Sequence, residues 1–137
     1  MLAVVALAFA FLDASAAEAL LTADEATCQA GIGRAAREFA AQRQRAIVEC
    51  NNDTASGKSC NTAQRDAKIL RATNTLKAQV ALRCRGVVLE NLLFPGTCAD
   101  GSGGSFSIDD LSACIQASHE AQTDAAIALE YPALAAF

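Results

Sequence analysis

CQAGIGRAAREFAAQRQRAIVEC (Cys28–Cys50) and CNTAQRDAKILRATNTLKAQVALRC (Cys60–Cys84) are two stretches of nearly equal length, each opened and closed by a cysteine. If each is a helix, Cys28 and Cys50 stand on one face but roughly 33 Å apart along the axis, and Cys60 and Cys84 bracket the second helix in the same way. Disulfide partners need α-carbons within about 7 Å, so neither stretch can bridge its own ends. Laid antiparallel, the two bring Cys50 to Cys60 at the connecting loop and Cys28 to Cys84 at the open end. The spacing therefore predicts a helical hairpin clipped top and bottom, with Cys98 and Cys114 left to pair with each other.

Helical signals fall where this geometry needs them. Thr22 with Glu25 three residues on has the spacing of a capping box, which satisfies free amides at a helix start. At 100° per residue, Cys28, Ile32, Ala35, Phe39, Ala46 and Cys50 lie within about 60° of one another. One helix is expected from about Ala23 to Glu49, with Arg34, Arg37 and Arg45 on its other side. NNDTASGKSC then reads as a polar loop around Gly57. Asn61 and Gln64 make a second cap. Ile69, Thr73, Leu76, Val80 and Cys84 line a helix reaching about Arg85, with Gly86 able to take the left-handed conformation that ends it.

Beyond Gly86, Val87–Phe94 reads as one or two further turns broken by Pro95-Gly96, and TCADGSGGSF as a glycine-rich loop. Ser107 and Asp110 make a third cap. Leu111, Ile115, Ala125 and Leu129 mark the apolar stripe of a third helix, which Pro132 stops near Glu130. The fold class is all-α, with no strand pattern: an antiparallel hairpin with a third helix, stapled as Cys28–Cys84, Cys50–Cys60 and Cys98–Cys114.

An apolar run from Leu2 to Leu12 is followed by Ala14-Ser15-Ala16, the core and exit site of a secretory signal peptide. Residues 1–16 are expected to be removed, leaving a single domain over residues 17–137. A membrane span needs about 20 apolar residues, and Asp13 interrupts this run too early. Six cysteines suit an exported chain, periplasmic or extracellular, because thiols pair in oxidising compartments. They also reinforce a core rich in alanine, which buries little area at about 25 cal/mol per Å².

Charge is divided along the chain. All eleven basic residues lie between Arg34 and Arg85 with only Glu38, Glu49, Asp53 and Asp66 among them, a local excess of +7. From Gly86 onward there are seven acids and neither lysine nor arginine, giving −7. Packing of the acidic third helix on the basic pair accounts for this division. Polyanion binding by Arg34, Arg37, Arg45, Lys68 and Arg71 is the alternative, although no aromatics are interleaved to stack bases and no specific nucleic-acid recognition is expected.

Short motifs add little chemistry. Gly31-Ile32-Gly33 follows no strand and lacks the third glycine of a dinucleotide fingerprint, so it reads as a close helix approach. Gly57-Lys58-Ser59 lacks the earlier glycine of a phosphate loop. Asn52-Asp53-Thr54 fits a glycosylation acceptor in an exposed loop. No C-x-x-C occurs, and Cys114 and His119 lie about 140° apart on a helix, so neither a metal site nor a cofactor is expected.

Cys98–Asp124, CADGSGGSFSIDDLSACIQASHEAQTD, slightly resembles the secreted calcium-dependent phospholipases. That resemblance implies calcium held by carbonyls of Gly101, Gly103 and Gly104, water activated by His119, and Glu120 as an acidic ligand. The chain departs from the family's pattern: the histidine follows the cysteine at a longer interval, the acid is Glu rather than Asp, and the adjacent cysteine pair is missing. Over most of its length the chain resembles a family of exported, helix-rich bacterial proteins with spaced cysteines. The carrying segments are CQAGIGRAAREF (28–39), the hairpin cysteines, LLFPGTCAD (92–100) and DDLSACIQASHEAQTDAAIALEY (109–131). It implies export and a stapled scaffold, and brings no activity. The functional expectation is a non-enzymatic structural or protein-binding module, engaging a protein partner or a second copy of itself.

Overall fold

In the computed structural model, which describes residues 21–98 and 105–134, three helices follow in chain order: α1 (Ala23–Ala55), α2 (Thr62–Arg83) and α3 (Ile108–Glu130), with a short 3-10 turn at Leu89–Leu92 between the last two. No strand forms among the described residues. The proposed leader, residues 1–16, lies outside them.

The caps fix where each helix begins. Thr22 accepts from the Glu25 N–H while Glu25 accepts from the Thr22 N–H, closing a full capping box. Ser107 and Asp110 do the same for α3. The α2 cap is one-sided: Asn61 Oδ1 accepts from the Gln64 N–H at 3.0 Å. Cys84 caps the end of α2, and Gly86 at φ 78° turns the chain away in the left-handed region.

Each expected rung is formed. Cys28–Cys84 spans 4.5 Å between α-carbons, Cys50–Cys60 4.9 Å and Cys98–Cys114 5.5 Å. The core gathers towards the Cys28–Cys84 end. There Cys28, Ala35, Phe39, Ala72, Leu76, Val80, Cys84, Leu89 and Leu111 are buried together, with Phe94 and Phe106 packed against them. At the loop end, among the described residues, only Ala46, Cys50 and Ile127 are buried apolar residues. Gly31 explains how closely the two long helices approach: a Cβ there would lie 2.6 Å from Arg83 Cβ.

Two boundaries and one face differ from the sequence reading. First, α1 does not stop at Glu49 but continues through Asn51–Ala55, because helical hydrogen bonding propagates through polar residues once nucleated. The Asn52-Asp53-Thr54 motif therefore sits in the last turns of a helix. Second, α2 stops at Arg83, since Cys84 already serves as its cap. Third, α3 does not bury the face marked by Ala125 and Leu129: Ala125 is exposed and Leu129 is 86% exposed. Leu111 is buried and Ile115 packs against the core as expected, and Ser112, Thr123 and Ile127 complete the inward face. The two buried hydroxyls satisfy themselves within the helix, Ser112 Oγ donating to the Ile108 carbonyl at 2.8 Å and Thr123 Oγ1 to the His119 carbonyl at 2.6 Å. A hydroxyl bonded in this way removes most of the cost of its burial.

Candidate functional site

Where the core thins at the loop end, the three helices enclose a cleft of about 850 Å³. The tail of α1 contributes Arg43, Ile47 and Asn51, the head of α2 contributes Arg65, Asp66 and Ile69, and the tail of α3 contributes Asp124, Ile127 and Tyr131. Leu134 and the Cys50–Cys60 bridge complete the wall. The volume lies in the range of small-molecule and cofactor sites.

Two contacts hold α3 over the cleft. The Arg43 guanidinium donates to both oxygens of Asp124, at 2.6 and 3.1 Å. Arg43's side chain is 12% exposed and Asp124's 57%, so solvent screens the carboxylate side and the pair contributes at most about 1 kcal/mol. Its fork geometry nevertheless fixes orientation. Arg43 Nε is buried without a partner among the described residues. Further along, the Tyr131 hydroxyl donates to Asn52 Oδ1 at 2.6 Å.

On the opposite wall, Arg65 donates through Nε to Asp66 at 2.8 Å and through Nη1 to Cys50 Sγ at 3.8 Å. Lys68 pairs with Glu49 across the α1–α2 seam. The cleft thus combines apolar patches from Ile47, Ile69, Ile127 and Leu134 with an anchored polar rim. Such a lining favours an amphipathic ligand or a few side chains of a partner.

The shifted carboxyls lie elsewhere. Thr22's backbone N–H holds the Glu25 carboxyl below the usual range, and the Asn91 amide adds to this at 2.7 Å. Ser107's hydroxyl, then its N–H, does the same for Asp110. Both belong to helix starts at the Cys28–Cys84 end.

The residues singled out from sequence fare unequally. All six cysteines are brought into their expected pairs. His119 is half-buried in the middle of α3, and no hydrogen bond or ion pair joins its imidazole to a carboxylate among the described residues. Glu120 accepts from the Gln116 side chain at 2.9 Å. Gly101, Gly103 and Gly104 lie outside the described residues. No cluster of three metal-ligating side chains occurs among the described residues. Arg34, Arg37, Arg45 and Arg71 are exposed and make no ion pair among the described residues.

The sequence marks Arg43, Asp124, Tyr131 and Arg65 only faintly. Arg43 sits at the border of the α1 apolar stripe, and Tyr131 is the chain's single tyrosine. No family model, curated protein or solved structure matches the chain.

Proposed function

We propose that the chain is an exported, non-enzymatic module that docks a protein partner in the cleft at its loop end. The observation that carries this reading is the cleft itself: three helices leave a space of about 850 Å³ with apolar walls and an anchored polar rim. Side chains held in place by helices and bonds lose little freedom on binding, which favours a surface built for recognition.

Export is supported by three sets of observations. All six cysteines pair, which suits an oxidising compartment. The Leu2–Leu12 run with Ala14-Ser15-Ala16 has the form of a leader. No helix among the described residues is long and apolar enough to cross a membrane. The resemblance to exported helix-rich bacterial proteins points the same way.

A photo-crosslinking residue placed at Ile69 in the cleft, and separately at the exposed Leu82 away from it, tests the docking site. In the native host, Ile69 should yield a discrete adduct with one protein and Leu82 should not. Adducts of equal pattern from both positions, or none from Ile69, count against the cleft.

A second reading is favoured by the uncompensated arginines. Arg34, Arg37, Arg45 and Arg71 are free to meet an anionic polymer, which releases counterions on binding. Retention on heparin that falls steeply with added salt, and falls further in the Arg34→Gln, Arg45→Gln double variant, would support it over cleft docking.

A further inference from the structure

We propose that Cys50–Cys60 is a thiol–disulfide exchange site: a small dithiol or an exported dithiol protein reduces it, while Cys28–Cys84 stays closed. The inference stands on the bridges' surroundings and holds whether or not a partner docks in the cleft.

The three bridges offer different access to an attacking thiolate. Cys28 and Cys84 are 0% and 1% exposed inside the main core, so no reagent reaches them without unfolding. Cys60 is half-buried and borders the cleft together with Cys50. Cys98 and Cys114 are also half-buried, but among the described residues no cationic donor reaches either sulfur as Arg65 reaches Cys50. Asp110 precedes Cys114 by one turn, and α3 contains neither lysine nor arginine. Arg65 Nη1 lies 3.8 Å from Cys50 Sγ, held by the same guanidinium's bond to Asp66. Cys60 immediately precedes Asn61, the N-cap of α2, where free N–H groups and the helix dipole favour negative charge. A cation or a helix start lowers a thiol's pKa and makes it a better leaving group. Both sulfurs of this bridge have such a neighbour; of the acids at this end, Asp66 is paired with Arg65 and Glu49 with Lys68, and Asp53 remains beside the bridge.

The exchange runs in two displacements. One thiolate of the dithiol attacks Cys60 Sγ in line with the bridge. A new sulfur–sulfur bond forms to Cys60, the Cys50–Cys60 bond breaks, and its electron pair leaves on Cys50 Sγ beside the Arg65 N–H. The second thiol of the reagent, deprotonated by solvent, then attacks its own mixed-disulfide sulfur and expels Cys60 as thiolate. The dithiol is oxidised to its disulfide, and Cys50 and Cys60 gain the two electrons and take protons from solvent.

Timed exposure of the folded protein to dithiothreitol, quenched by alkylation and mapped by mass spectrometry, tests this. Cys50 and Cys60 should be labelled roughly tenfold faster than the other four, and a monothiol such as glutathione should be trapped on Cys60. Arg65→Gln should slow the exchange several-fold and raise the pH at which free Cys50 becomes alkylated, with Arg65→Lys recovering part of both. Circular dichroism showing unchanged helix separates this from misfolding; should Arg65→Gln unfold, the labelling order in the unaltered protein decides alone. Cys98 and Cys114 opening as fast, glutathione on Cys50, or an Arg65→Gln profile identical to the parent would each overturn the proposal.

Discussion

The two ends of the hairpin are built from the same parts and put to different use. Each has a disulfide joining α1 to α2 and a terminus of α3 packed nearby. At the Cys28–Cys84 end the space between helices is filled by Phe39, Leu76, Val80, Leu89 and Leu111, and two capping boxes close it off. At the Cys50–Cys60 end the same space is a cleft, with α3 held by Arg43–Asp124 and Tyr131–Asn52. One end supplies stability and leaves the other free to remain unfilled. Binding surfaces carried by rigid scaffolds commonly show such a division.

That division predicts a graded response to substitution. Removing the buried bridge with Cys28→Ala and Cys84→Ala should cost about 4 kcal/mol from loop closure alone, with two small core voids in addition. The same change at Cys50 and Cys60 closes a much shorter loop and should cost about 3 kcal/mol. Denaturant unfolding that ranked the pair in the opposite order would break the distinction between the ends. Phe39→Ala, which empties the centre of the filled end, should lose about 3–4 kcal/mol in the same assay.

The close approach at Gly31 gives a finer test. Gly31→Ala must displace Arg83 Cβ and Cγ, the rigid root of that side chain, and should destabilise by about 1–2 kcal/mol despite better helix propensity. Gly33→Ala meets only the mobile tip of Arg37, at 3.4 Å, and should stabilise by up to about 1 kcal/mol. Equal effects at the two glycines, read from melting temperatures, would show that helix spacing is not set there. Asp124→Asn should cost less than about 1 kcal/mol yet loosen the cleft, seen as faster hydrogen exchange in the last turns of α3.

The smallest effect is expected with acid. Glu25 and Asp110 have folded-state pKa values below their unfolded ones, so the stability they confer is present above pH about 4.5. It fades as pH falls through the lowered values. Glu25→Gln and Asp110→Asn should flatten that part of the melting-temperature profile and leave the neutral region little changed.

How much was legible in the sequence follows from what each feature depends on. The ladder was readable because helical rise and disulfide reach together permit few arrangements of Cys28, Cys50, Cys60 and Cys84. Most inward-facing residues of α1 and α2 were readable because they recur at helical spacing, Thr73 among them. The inner face of α3 was readable only at Leu111 and Ile115, because Ser112 and Thr123 bury hydroxyls satisfied by carbonyls of their own helix, and a count of apolar residues passes over them. The cleft was hidden for another reason. Arg43 and Asp124 stand 81 positions apart, and only the docking of α3 makes them neighbours.

The matched lengths of the two rods carry a genetic consequence. Deleting one residue between Cys28 and Cys50 would swing one cysteine about 100° around its axis and draw it back about 1.5 Å, out of reach of its mate. Point changes on the outer faces leave that alignment untouched. Among natural variants, drift in residue identity should therefore be common within the rods, and gain or loss of single codons there should be rare.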